Sequence, residues 1–316
     1  MSGGRAEIPV LDLADWRGGR GAATPLAADL RHALQEVGFY FVTGHGIDWP
    51  IVAATFAECR RFHALPEAAK AALPVTRQIT GYVGVGSGTT RTTALYDGGQ
   101  ANRVAAFLCK REEEGLNHWP DGLPGFRERV LDYMAAVDAL AQRLLPLYEQ
   151  ALGLPGGWLA RRFAPADMHM RLAWYPAEPA GDAGAGFGVA PHTDNSFMTL
   201  LPQNDLPGLW IRPAGRDWTE APHVPGSFLI NSGDALRRWS GGRVLSTEHY
   251  VRNRSGRERV AIPLFYGPRA DTLLDVMPGA GGRPPPAGHR PAAVTYGAYT
   301  QWFSDRTYWG DDSPMP

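Results

Sequence analysis

Apolar residues recur along this chain in two rhythms, and the change from one to the other divides it. In the first half the spacing is helical. Leu26, Leu30, Ala33, Leu34 and Val37 share one helical face over residues 26–37. Residues 50–73 read as helix interrupted at Pro66. A stripe from Phe126 through Val130, Tyr133, Val137, Leu140 and Leu144 to Tyr148 predicts a long amphipathic helix over 125–152, closed by Gly153 and Pro155. Two short β-rich runs, "IPVLDL" (8–13) and "GFYFVTG" (38–44), flank the first helix. The Gly/Thr-rich stretch 74–103 reads as an exposed loop. Its GxGxG lacks the strand–turn–helix context that phosphate binding needs.

After residue 165 short β-rich runs alternate with Pro/Gly turns: "MHMRLAWY", "FMTLLPQ", "GLWIR", "SFLINSG", "RVLSTEHYVRN" and "RVAIPLFYG". Many short strands at that spacing indicate a sandwich or barrel. "GGRPPPAGHRP" (281–291) can be neither central strand nor helix and reads as a surface loop. Residues 294–309 predict a terminal aromatic helix. No internal repeat of 20–50 residues is visible. The division expected is 1–160, mostly helical, packed on a β-rich 161–316, the two forming one catalytic unit.

Composition narrows the function classes. Of 316 residues, 44% are hydrophobic and 20% charged, the profile of a globular protein. The net charge of -1 gives no electrostatic basis for binding nucleic acid or an anionic membrane. No apolar run approaches the roughly 18 residues of a membrane span, and the N-terminus shows no signal-peptide pattern. Two cysteines, Cys59 and Cys109, suit a reduced cytoplasmic chain. Oligomeric state stays open.

Chemistry concentrates at "APHTDNSF" (190–197). On a strand, residues i and i+2 share a face, so His192 and Asp194 can bind one ion with Thr193 turned away. His249, in the strand-like "LSTEHYV", is the best third ligand. Two histidines and one carboxylate leave adjacent positions open, the arrangement that suits non-haem Fe(II) and O2. His-x-Asp alone is a weak signal. Ten residues beyond His249 lies Arg259, able to pair bidentately with a carboxylate. Alternation puts Arg259, Ala261 and Pro263 on one strand face and Val260, Ile262 and Leu264 on the other.

Taken together and in order, these segments resemble the Fe(II)/2-oxoglutarate-dependent dioxygenases, specifically the isopenicillin-N-synthase-like branch. The N-terminal likeness runs through "IPVLDL", "GFYFVTGHGI" (38–47), "FHALPEAAK" (62–70) and "NHWPDGLPGFRERVLDYM" (117–134). The catalytic half follows with "MRLAWYP" (170–176), "PHTDNSFMTLLPQND" (191–205), "GLWIRP" (208–213), "PGSFLINSGDAL" (225–236), "LSTEHYV" (245–251) and "RERVAIPLFYGP" (257–268). The resemblance implies a double-stranded β-helix (a cupin-like jelly roll), mainly β with flanking helices. It implies His192, Asp194 and His249 as the iron ligands, Arg259 as anchor of the 2-oxoglutarate distal carboxylate, and Tyr175 near the metal-proximal end. Two positions depart from the pattern. Ala261 replaces the serine of the family's Arg-x-Ser, and Ala173 replaces an asparagine two residues before the tyrosine. A lost hydrogen bond to a charged group costs roughly 1.5–3 kcal/mol.

The activity implied is oxidation of a small molecule, in secondary metabolism, with Fe(II), 2-oxoglutarate and O2, releasing succinate and CO2. Hydroxylation, desaturation, ring closure and epoxidation all fit; the retained Asp194 argues against halogenation. Two other readings fit the same residues. One is an oxidase of this branch that does not use 2-oxoglutarate; the other is a metal-binding β-sandwich without turnover. The loop 82–107, Phe187, Phe197 and the terminal aromatics near Trp302 are candidate pocket residues, with plain packing the favoured reading of Phe107, Phe187 and Trp302, and 84–100 is a candidate lid.

Overall fold

The computed structural model of the protein describes residues 7–16, 24–87, 101–113, 115–178, 186–278, 293–311 and 313. Most of the candidate lid and the loop 281–291 lie outside these residues. The chain begins with β1 (Val10–Asp12), α1 (Pro25–His32), β2 (Phe39–Thr43), α2 (Trp49–His63) and α3 (Glu67–Ala71). β3 (Gly81–Val83), β4 (Ala105–Lys110) and α4 (Phe126–Leu152) follow. The second half contains β5 (Asp167–Tyr175), β6 (Val189–His192), β7 (Met198–Pro202), β8 (Leu209–Arg212), β9 (Thr219–Glu220) and β10 (Phe228–Ser232). It ends with α5 (Asp234–Trp239), β11 (Glu248–Val251), β12 (Arg259–Ala261), β13 (Leu264–Gly267) and α6 (Tyr296–Trp309).

Two sheets face each other as a jelly roll. The larger runs β1-β2-β10-β7-β13-β5-β4-β3, with β12 also paired to β5; the smaller runs β6-β11-β8-β9. Strand alternation sorts the side chains of the large sheet into two cores. Tyr40, Val42, Phe228, Ile230, Leu172, Val260 and Ile262 join the core shared with the helices, including the buried stripe of α4. Phe39, Phe41, Leu229, Ala173, Tyr175 and Ala261 turn the other way and meet Val189, Leu209, Ile211 and Val251 between the sheets. The alternation read for residues 259–264 is the one observed.

The first half holds more strand than its periodicity predicts. β1 and β2 extend one end of the large sheet, and β3 and β4 extend the other. β4, "AAFLCK", is buried on both faces and so lacks the alternation that marks a half-exposed strand. β3 falls inside the stretch read as loop. The helix expected over 26–37 is α1 followed by a π-helical turn, Ala33–Val37. That turn ends at Gly38, where φ is +75° and an added Cβ would lie 2.2 Å from Thr247 Oγ1. Only glycine permits both the conformation and the approach. Thr247 Oγ1 in turn donates to Val37 O at 2.7 Å, fixing the start of the segment that carries His249.

Candidate metal centre

The smaller sheet supplies the two histidines. β6 and β11 are antiparallel, and His192 and His249 are register partners, with ring centroids 4.2 Å apart. Each ring is oriented by the same local device. His192 Nδ1 lies 2.9 Å from Ala190 O, and His249 Nδ1 lies 3.1 Å from Thr247 O. A carbonyl only accepts, so each Nδ1 carries the proton and each Nε2 keeps a free lone pair.

Asp194 does not sit on the strand as its spacing suggested. β6 ends at His192, and the chain turns to meet the start of α5. Asp234 N donates to Asp194 O at 2.7 Å, and Thr193 Oγ1 donates to Asp234 Oδ2 at 2.8 Å. These bonds replace the ladder and swing Asp194 back toward the histidines. Gly233 makes the turn fit: an added Cβ would lie 2.3 Å from Ser196 O and 2.8 Å from Asp194 O.

The larger sheet aims the carboxylate. Asp194 Oδ2 accepts from Thr199 Oγ1 at 2.6 Å and from Asn231 Nδ2 at 2.8 Å. Thr199 of β7 and Asn231 of β10 are themselves register partners. Oδ1 is left 3.7 Å from His192 Nε2 and 3.6 Å from His249 Nε2. Ligands about 2.0–2.2 Å from one ion lie no more than about 4.4 Å apart, so both separations admit a shared metal. The three residues are the group of potential metal ligands that converges among the described residues. Burial, then the positive potential of His249, pushes His192 down to about 3. Burial alone would raise Asp194, but His249, His192, Asn231 and Thr199 outweigh it and hold the carboxyl below its ordinary value. The carboxylate and the His192 imidazole are thus in their ligating protonation states at neutral pH.

Beside these groups lies an inter-sheet cavity of about 70 Å³, several times the roughly 10–15 Å³ that one water needs. Arg259, 5% exposed, lines it. Its strand partner is Tyr175, whose ring centre is 5.2 Å from the guanidinium carbon. Arg259 Nε and Nη1 are enclosed with no hydrogen-bond partner among the described residues. A buried cation in that state calls for an anion. Ala261 and Ala173 face each other across the β12/β5 ladder, so the two polar groups missing from the family pattern are missing at one spot.

The candidate pocket residues divide between the cavity wall and the packed interior. Val104 and Ala106, inside the loop range 82–107, line the cavity. Phe197 is instead fully buried against Tyr148, Phe163 and Trp239. Phe187 packs on Tyr250 and Trp302 on Tyr299. The actual apolar lining includes Phe39, Leu201, Leu229, Val251 and Phe265. Their inward strand phase could have revealed them. Nothing local in sequence distinguishes Thr199, Asn231 and Arg171 from other polar strand residues.

A jelly roll that brings two imidazoles and a carboxylate to one open-sided point is the architecture of the non-haem metal oxygenases. Comparison with known proteins agrees. Residues 166–268 match the family model of the 2OG-Fe(II) oxygenase superfamily, and residues 8–122 match the N-terminal model of the non-haem dioxygenase in morphine synthesis. A 2-oxoglutarate-dependent dioxygenase of Aspergillus niger is 32% identical, over 83% of this chain and 84% of its own. A 2-oxoglutarate-Fe(II) type oxidoreductase of Emericella nidulans is 30% identical, covering 85% and 82%. A homoarginine-6-hydroxylase of Glycine max is 30% identical, covering 78% and 79%. Among solved structures, the rice dioxygenase for auxin oxidation superposes with a TM-score of 0.70 at 26% identity, over 94% of each chain. A full-length Neurospora crassa protein in complex with alpha-KG gives 0.81 at 21% identity, over 94% and 95%, and shows the shared fold.

The chain belongs to the 2OG-Fe(II) oxygenase family. It is a non-haem iron, 2-oxoglutarate-dependent oxygenase of small molecules, using Fe(II), 2-oxoglutarate and O2. Among the described residues no helix is long and apolar enough to cross a membrane.

Proposed function

We propose that His192, Asp194 and His249 hold the ferrous ion and that Arg259, with Tyr175, anchors the distal carboxylate of 2-oxoglutarate. The bound ion and co-substrate supply the oxidising chemistry, in which O2 is reduced and the 2-oxo acid leaves as succinate and CO2. The chain's own part is positional. Ala190 O and Thr247 O keep both Nε2 atoms aimed at the ion. Thr199 and Asn231 keep Asp194 Oδ1 free for it. Phe39, Leu201 and Leu229 keep the cavity wall apolar and exclude water from the reacting centre. The product we propose is an alcohol from a C–H bond of a small molecule, the outcome named for the Glycine max relative. Two buried free cysteines, Cys59 and Cys109, support a reducing, cytoplasmic setting.

The observation that carries this reading is the enclosed, unpartnered guanidinium of Arg259 in the same cavity as three convergent ligands. Anaerobic titration with Fe(II) and 2-oxoglutarate tests it. The chelate should give a weak visible charge-transfer band, and His192→Ala or Asp194→Ala should abolish both band and turnover. A band of undiminished strength in either variant would remove the ligand assignment. Stoichiometric succinate release in the presence of a substrate separates this reading from an oxidase that ignores 2-oxoglutarate.

A further inference from the structure

The same cavity holds a second guanidinium that the co-substrate reading does not use. Arg171 of β5 lines the wall beside Asp194 and Phe265. Its Nη2 donates to the Tyr308 hydroxyl of α6 at 2.5 Å, and its Nε is enclosed without a partner. Its guanidinium carbon also lies 5.7 Å from the Phe265 ring centre, and Tyr175 and Asp194 act on it electrostatically. A phenol leaves the positive charge uncompensated. The nearby carboxylate, Asp194, has Oδ2 taken by Thr199 and Asn231, and its Oδ1 faces the histidines.

Strand register separates the two arginines. Arg259 lies opposite Tyr175, and Ala261 lies opposite Ala173, which pairs on its other side with Ala106 of β4. The next row holds Arg171, opposite Leu108. A row of three alanines, all lining the cavity, therefore runs between the two cationic groups. Tyr175 lies four positions beyond Arg171 along β5, about 13 Å of backbone. One carboxylate held by Arg259 does not also satisfy Arg171. With Fe(II), dianionic 2-oxoglutarate and neutral histidine ligands in place, Asp194, Arg259 and Arg171 leave the cavity with one positive charge in excess.

Resting on the reading of Arg259 above, we propose that the substrate of this oxygenase carries a carboxylate, held by the Arg171 guanidinium, while its apolar body lies over the alanine row. Bidentate pairing suits the planar fork, and a monoanionic substrate makes the filled cavity neutral. Tyr308 is a positioning residue. Its hydroxyl takes one Nη2 hydrogen and turns the rest of the fork toward the cavity, tying α6 to the substrate end of the site.

The test compares matched acids and amides. Protein loaded anaerobically with Fe(II) and 2-oxoglutarate is titrated with phenylacetate, 3-phenylpropionate, cyclohexylacetate and hexanoate, and with the primary amide of each. Binding is read from the change in the visible band and by calorimetry. At least one acid should bind tenfold or more tighter than its amide. Arg171→Gln should erase that preference while 2-oxoglutarate affinity stays within twofold. Arg171→Lys, which keeps the charge but not the fork, should fall between, and Tyr308→Phe should weaken the acid severalfold with 2-oxoglutarate unmoved. The wild-type acid–amide comparison stands even where a variant does not fold. A panel in which no acid outbinds its amide, through equal binding or none, overturns the proposal. So does an Arg171→Gln protein that retains the preference or loses 2-oxoglutarate as Arg259→Gln does. Failure of 2-oxoglutarate to bind the wild type instead removes the reading of Arg259, and this one with it.

Discussion

Thr199→Val removes one hydroxyl and leaves the shape of the side chain. That hydroxyl donates to Asp194 Oδ2 at 2.6 Å, and Asp194 is 5% exposed. A hydrogen bond to a charged group contributes roughly 1.5–3 kcal/mol, a factor of about 10–150 if all of it were felt in metal binding. Two effects reduce it. Asn231 still holds Oδ2 at 2.8 Å, and a carboxylate with one donor fewer is a more basic ligand. The expected loss of metal affinity is therefore about tenfold, at the low end of the range for groups that orient ligands. The same change lifts a restraint that keeps the Asp194 carboxyl low, so the acid limb of metal binding should move to higher pH. Chelator-competition titration with Co(II) at pH 7 and pH 5 measures both effects. Thr199→Ser should restore them. Metal affinity within twofold of wild type at both pH values would mean that the hydroxyl does not orient Asp194.

Arg259→Gln should weaken 2-oxoglutarate about 10–150-fold by calorimetry with metal affinity unchanged, from the loss of a charge-assisted pair; an unchanged affinity would assign the anchor elsewhere. Ala261→Ser restores a hydroxyl beside Arg259 and should tighten 2-oxoglutarate up to about tenfold; no gain would indicate that Tyr175 already supplies that bond. Gly233→Ala drives a Cβ toward Ser196 O and Asp194 O and should abolish metal binding while the far-ultraviolet dichroism of the fold persists; wild-type metal affinity would show that the turn yields cheaply. His63, 8% exposed and bonded to Leu172 O at 2.8 Å, is pushed by burial down to about 4. Below about pH 6.5 the unfolded chain binds a proton there that the folded chain refuses. Stability present above pH 6.5 is then lost as pH falls toward 4, about 2 kcal/mol of it by pH 5. Urea midpoints at pH 7 and pH 5 should diverge less in His63→Gln; an identical pH response would clear His63 of that role.

Legibility from sequence followed the physical reach of each signal. Long periodic elements such as α4 were readable because 27 residues repeat one face many times. Short or doubly buried pieces were not. β4 has no polar face, and α5, at six residues, is too short for a helical period to show. The ligand triad was readable as a set of residue types, but its geometry was not. The i, i+2 argument placed His192 and Asp194 on one strand, whereas the strand stops at His192 and cross-strand register unites the two histidines. Thr199 and Asn231 act through pairing between β7 and β10, a relation with no local trace in the chain. The strand phase of residues 259–264 was legible, because alternation is a property of the backbone itself.

The facing pair His192 and His249 is set by how β6 lies against β11, not by the loops that join them. Sliding one strand by a single position would turn its imidazole to the opposite side of the sheet. The cross-strand pairing thus fixes the two imidazoles, while the connection between the strands, which carries Asp194, Thr199, Asn231 and Gly233, fixes the carboxylate. The ladder leaves the ion little freedom to move: beyond His249 the register shifts, so that Val251 pairs with Val189 rather than with the residue two before His192, and a histidine pair carried along it would fall out of step.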